Sequence, residues 1–161
     1  MKQFSVEIPI VLYKLDELDE ADRKLVEQAC DATRNSYSPY SKFRVGAALK
    51  LADGQVFLGS NQENASFPVG SCAERTAFFA ASAAAPDVAP TAIAIAAWTD
   101  GQFTENPVSP CGMCRQALLE AETRFGQPMR VLLYGKSGVY VVRSVGDLLP
   151  LTFTGEQLCV R

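Results

Sequence analysis

Histidine is absent from all 161 residues of this chain. Any metal site it carries must therefore be completed by cysteine or carboxylate. Long apolar runs are missing too: the longest, such as residues 93–98, fall far short of the ~20 residues that span a bilayer. No membrane partner is expected. Met1-Lys2-Gln3-Phe4-Ser5-Val6-Glu7 carries a charge inside what would be the apolar core of a signal peptide, so none is read there. Lysine and arginine are scattered singly through a chain of formal net charge −3. No basic patch that would grip a nucleic-acid backbone is visible, which favours a small-molecule substrate. Repeats, linkers and low-complexity stretches are lacking. One domain over residues 1–161 is expected, large enough to bury roughly 68–70% of its unfolded surface.

Cysteine is sparse, five in all, yet three of the five fall in two patterned stretches. These are Ser71-Cys72-Ala73-Glu74-Arg75 and Ser109-Pro110-Cys111-Gly112-Met113-Cys114-Arg115. An odd count with three clustered argues against disulfides and makes a reducing cytoplasm the simplest address. Cys-x-x-Cys on one turn presents two sulfurs to a single ion, and Zn²⁺ is the usual occupant. A catalytic zinc takes three protein ligands and leaves its fourth position to water. Cys72 is the third ligand best placed by its surroundings. Two residues later, Glu74 is a carboxylate able to handle the protons of a water. The expected centre is one Zn²⁺ per chain on Cys72, Cys111 and Cys114, with Glu74 as acid and base.

Periodicity places a helix over 16–35, with Leu18, Ala21, Leu25, Ala29 and Ala32 on one face. Strands follow at 43–51 and 55–59 around the hairpin signal Asp53-Gly54, then a long polar loop over 60–70. An alanine-rich helix over 73–85 is apolar nearly all round and should lie buried against a sheet. Residues 91–98 read as a covered central strand. Pro110, with Ser109 as N-cap, opens a helix through about residue 124. Further strands fall at 130–134 and 139–143, and residues 4–13 read as a short strand or an ordered arm. This order implies an α/β layered domain around one mixed sheet.

The two cysteine motifs, with Asn61-Gln62-Glu63-Asn64-Ala65 upstream, resemble the zinc signature of the cytidine deaminase family in its three-cysteine form. In zinc deaminases a glutamate that is not a ligand moves the protons. The resemblance covers about residues 36–153. It implies a three-layer α/β/α fold with one mixed five-stranded sheet. The reaction it implies is hydrolytic deamination of cytidine and 2′-deoxycytidine to uridine and 2′-deoxyuridine plus ammonia, a step of pyrimidine salvage. It also implies a homotetramer, with a dimer as the other option. Asn61 and Glu63 match the pair that holds the ribose 3′-hydroxyl, and Phe43 matches the aromatic packed near the base. Ala73 and Ser109 match positions whose backbone groups bind the base edge. Phe153, in Leu148-Leu149-Pro150-Leu151-Thr152-Phe153, is similar to a closing phenylalanine that reaches a neighbour's site in tetrameric members. Tyr40 and Phe67 match positions near the subunit interface, where Phe67 replaces a common tyrosine. Arg75 and Arg115, each just past a ligand, are expected to draw charge off the sulfurs by hydrogen bonding, as are the two helix N-termini.

Plainer readings stand beside these. Ser71-x-x-Glu74 is also a capping box, in which Glu74 merely bonds its own helix. Phe43 could be simple core on an alternating strand, Phe153 could only anchor the tail, and Arg75 and Arg115 could be surface residues. Cys30 reads as a small core residue and Cys159 as incidental. Other functions remain open as well: a deaminase of a modified aminopyrimidine nucleoside such as blasticidin S, against which Asn61 and Glu63 argue, and a polynucleotide deaminase, disfavoured by the acidity. A non-enzymatic domain with structural zinc would need a fourth ligand from Cys30 or Cys159.

Overall fold

The structure, a computed structural model, describes residues 1–158. Three helices, α1 (Glu20–Ala32), α2 (Ala73–Ala84) and α3 (Gly112–Phe125), pack on a sheet. Its strands are β1 (Ile10–Tyr13), β2 (Arg44–Leu51), β3 (Val56–Ser60), β4 (Pro90–Thr99), β5 (Gln102–Phe103), β6 (Arg130–Gly135) and β7 (Gly138–Val142). They run in the order β1-β7-β6-β4-β2-β3, with β5 folded back on β4. β4 and β6 pair parallel and the other described pairs are antiparallel. The sheet is mixed, as expected, but has seven strands where five were read. Of the extra two, β1 falls within the 4–13 stretch read as a strand or an arm, and β5 was not read. β1 is four residues clipped onto β7, Ile10 opposite Val142 and Tyr13 opposite Val139. β5 is a two-residue return made by a tight turn with Asp100 and Gly101 at φ +51° and +79°.

Alternation along the central strands divides the core in two. Ala47, Leu49, Ile93 and Ile95 face α2 and α3 on one side. Ala48, Ala92, Ala94 and Ala96 face α1 on the other. The result is a three-layer domain. α1 is shorter than the sequence suggests, because Asp19 caps it by accepting from the Asp22 amide at 2.8 Å and Leu15–Glu17 form a separate 3₁₀ turn. The expected burial of α2 on all sides is corrected: Ala73, Glu74, Ala77 and Ala81 are buried, while the Phe79 ring stands 52% exposed. Alanine-rich composition does not choose a face, and one sheet covers only one stripe. α3 also starts later than read. Cys111, not Ser109, is its N-cap, and Pro110 lies before the helix in the loop.

The position of α2 follows from a missing side chain. β3 ends under the first turn of this helix, and a Cβ on Gly59 would stand 2.2 Å from the Ala73 carbonyl oxygen and 2.5 Å from the Ala77 amide. Only glycine lets the helix backbone settle that close. Gly59→Ala is therefore expected to lower stability by roughly 3 kcal/mol. Gly112→Ala, where a Cβ meets nothing within 4 Å, should stay within about 0.5 kcal/mol. Urea unfolding of both variants reads the difference, and equal midpoints would refute the account.

Candidate active site

β3 and β4 both run antiparallel to β2, which lies between them, so they point the same way. The helices that follow them, α2 and α3, thus begin at the same end of the sheet. Cys72 is the N-cap of α2, Cys111 is the N-cap of α3, and Cys114 sits in the first turn of α3. The Cys72 and Cys111 sulfurs are 3.9 Å apart and those of Cys111 and Cys114 are 3.5 Å apart. All three lie within 4.8 Å of one another. A tetrahedral ion with sulfurs at about 2.3 Å sets them about 3.8 Å apart. The donor set fits Zn²⁺. No fourth histidine, cysteine or carboxylate atom joins the cluster among the described residues. Cys30 is on α1, packed against the core on the other face of the sheet, and burial beside Asp31 and Glu27 pushes its thiol up to about 12. Cys159 lies outside the described residues. A closed four-ligand site finds no support.

The three sulfurs are unequal. A hydrogen bond from the Cys114 thiol, helped by Cys111 and by the Arg75 guanidinium, brings Cys72 down to about 5. Cys114, which keeps that proton and is buried, is shifted upward.

Glu74, the second residue of α2, is buried at 4% exposure. Burial raises its carboxyl above the ordinary range, and the Cys72 thiolate adds to the shift. The capping-box alternative fails on geometry. Cys72 occupies the cap and no side chain caps this helix. The Ser71 hydroxyl turns instead to the Cys72 carbonyl and to Thr76. Glu74 meets only its own backbone amide in that turn and closes no box with Ser71.

Glu74, Cys72 and Cys111 line one cavity of about 720 Å³, together with Phe43, Asn61, Glu63 and Ser109. Asn61 is heavily committed. Its Oδ1 accepts from the Val45 amide at 2.7 Å and from the Ser36 hydroxyl, and its Nδ2 donates to the Phe43 carbonyl at 2.9 Å. It thereby fixes Phe43 and the start of β2. Glu63 accepts from the Tyr40 amide at 2.8 Å and the Ser41 amide at 3.3 Å. The Ser41 hydroxyl and these amides hold its carboxyl below the usual range. Ala73 is fully buried in the first turn of α2. Phe153 is 56% exposed and stands away from the cavity of its own chain. Sequence reasoning missed the apolar wall of Ile95, Val108 and Met113, which carries no signal apart from core, and Ser36, whose bond to Asn61 spans 25 residues.

Residues 19–125 match the family model described as "Cytidine and deoxycytidylate deaminase zinc-binding region". This chain belongs to that family. It is 43% identical over 138 residues to a cytidine deaminase of Halalkalibacterium halodurans, covering 83% of this chain and 95% of that protein. A crystal structure of cytidine deaminase from Burkholderia pseudomallei superimposes with a TM-score of 0.66 at 46% identity, over 81% of this chain and 97% of that one. The Mycobacterium tuberculosis cytidine deaminase gives 0.65 at 32% identity, over 85% and 98%.

The two arginines of this deaminase-family site divide their work. Arg75 lies beside the Cys72 and Cys114 sulfurs; its Nη2 donates to the Gly70 carbonyl at 3.5 Å, and its buried Nε has no hydrogen-bond partner among the described residues. It is placed to offset the charge of a thiolate trio. Arg115 corrects the expectation: none of its bonds goes to sulfur. Nε donates to the Pro110 carbonyl at 2.8 Å, Nη1 to the Leu148 carbonyl at 3.0 Å and Nη2 to the Ser109 hydroxyl at 2.8 Å. Its fork is spent on the loop before Cys111. Arg75→Gln is accordingly expected to weaken zinc binding about 10- to 100-fold, read by competition with a chelator. Parent-like zinc retention would remove Arg75 from this role.

Proposed function

We propose that this chain deaminates cytidine and 2′-deoxycytidine hydrolytically, releasing ammonia and leaving uridine or 2′-deoxyuridine. The observation that carries the reading is Glu74, a buried carboxylate facing the same cavity as a three-sulfur cluster with no fourth protein ligand among the described residues. The names of the relatives support it. When bound, zinc supplies a Lewis acid that makes water a nucleophile near neutral pH.

The protons belong to Glu74. As the water oxygen bonds to C4 of the base, ionised Glu74 takes its proton and passes it to N3. Glu74, ionised again, takes the second proton from the new C4 hydroxyl and delivers it to the 4-amino nitrogen; the C4–N4 bond breaks as the C4 carbonyl forms, and ammonia leaves. One group that both accepts and donates works best with a pKa nearer neutrality than an ordinary carboxylate has, and burial moves Glu74 that way. Phe43 packs near the base, backbone groups of Ala73 and Ser109 meet its edge, and Asn61 with Glu63 takes the sugar.

Charge around the cavity narrows the substrate. Among the described residues its lining holds two acids, Glu63 and Glu74, and one basic side chain, Arg75, which lies beside the sulfurs. A phosphorylated sugar would meet the Glu63 carboxylate, so a nucleoside is favoured over a nucleotide. Exposed apolar side chains at Phe67, Val69, Phe79 and Phe153 support a homotetramer in which Phe153 reaches a neighbour's cavity. A cytoplasmic address and a place in pyrimidine salvage belong to the same reading; the four free cysteines among the described residues suit a reducing compartment.

Ultraviolet detection of uridine and ammonia from cytidine tests the proposal, and no product from any pyrimidine nucleoside would overturn it. Glu74→Gln should lower kcat by about 10²- to 10⁴-fold with zinc retained. The same variant should be more stable than its parent at neutral pH, because folding buries an ionised carboxylate there. Its advantage should be full above the raised pKa of folded Glu74 and vanish below the ordinary carboxylate value, where both states hold the proton. Urea unfolding across that range gives the profile.

A further inference from the structure

Half-buried Glu122, near the end of α3, bonds more groups than any other described carboxylate. It accepts from the Met129 amide at 2.6 Å, the Val145 amide at 2.8 Å, and the Gly146 amide and Ser144 hydroxyl at 3.0 Å each. Two of those amides open a single 3₁₀ turn, Gly146–Leu148. The other end of that turn is the Leu148 carbonyl, and it is taken by Arg115. Arg115 and Glu122 are seven residues apart on α3, two turns along one side of the helix. One helix therefore fastens both ends of the turn, its amides with an anion and its last carbonyl with a cation.

Arg115 does not stop there. The rest of its fork holds Ser109 and the Pro110 carbonyl, one wall residue of the cavity and the residue before a zinc ligand. A guanidinium is planar and rigid, so where Nη1 is held decides where Nε and Nη2 point. Without a fixed Leu148 carbonyl, Arg115 keeps its bonds to the loop but loses the anchor that orients them. Glu122 lies outside the cavity, and its hydrogen bonds go to this brace and to the start of β6.

We propose that Glu122 is a positioning residue for the metal site: by holding the turn 146–148 it fixes the anchor of Arg115, and through Arg115 the loop that delivers Cys111. The proposal rests on the zinc-deaminase reading. Its first measurement does not require turnover. In the zinc-loaded protein at 25 °C, Glu122→Gln should speed the release of zinc to a chelator by about three- to tenfold. The Gln amide would face the Gly146 N–H with a donor, so the turn is loosened without a change of shape. If the parent deaminates cytidine, KM should rise with release, since Ser109 moves, while kcat changes less.

The decisive comparison is a double-mutant cycle with Arg115→Met. Acting through Arg115, Glu122→Gln should add nothing to zinc release once Arg115 is gone. Multiplying effects would overturn the proposal, as would parent-like release in Glu122→Gln accompanied only by a lower melting temperature. If Glu122→Gln does not fold, Ser144→Ala, which takes one donor from the carboxylate, serves in its place. A rise of about twofold, absent beside Arg115→Met, supports the brace, and parent-like release overturns it. If the parent fails to deaminate any nucleoside, the deaminase reading falls, while the release comparison still decides the brace.

Discussion

Two helices can begin side by side only if the strands that feed them point the same way. Here β3 and β4 do so because β2 runs between them in the opposite direction. Everything at the site follows from that arrangement. Helix first turns offer unpaired amides and the positive end of the helix dipole, and here two of them converge on three sulfurs contributed by residues 72, 111 and 114. The depth at which α2 rests on Gly59 then sets where Cys72 and Glu74 stand relative to Cys111. Fold and chemistry share one contact.

The converging groups repel one another. Three thiols and a buried carboxyl crowd a small volume, with the Arg75 guanidinium beside them. The contact between Cys72 and Cys114 shifts the Cys72 thiol down and the Cys114 thiol up. A divalent cation relieves this crowding in a way a fourth ligand from the chain would not, since another anion would deepen the repulsion. Glu74 remains out of the donor set, and burial raises its carboxyl above the ordinary range.

Much of this was legible in the residues themselves. Cys72, Cys111 and Cys114 were identifiable because a metal site writes itself as close spacing plus helix-start chemistry, and both are local. The order of the helices and of the five strands β2, β3, β4, β6 and β7 was legible for the same reason, each having a pattern long enough to count. The edge strand β1 was read only as a strand or an arm over 4–13, and the two-residue β5 was not read at all, being too short to carry a period. The start of α3 was misplaced because Ser109-Pro110 is a helix-opening signal that tertiary bonds from Arg115 override. Arg115 itself was assigned to sulfur on adjacency alone, but side-chain direction on a helix turns 100° per residue and sent its fork elsewhere. Glu122 and Ser36 work through partners more than twenty residues away, and no pattern along a chain records such pairings.

Asn61 carries a last consequence. Both lone pairs of its amide oxygen and one of its two amide hydrogens are already engaged within the chain. Its rotamer is locked before any ligand arrives, so that corner of the cavity loses no side-chain freedom on complexation. What it can still offer is a single N–H, which selects for a ligand bearing a lone pair at that spot and leaves a buried donor stranded when the lone pair is missing. Discrimination at this corner rests on rigidity as much as on polarity.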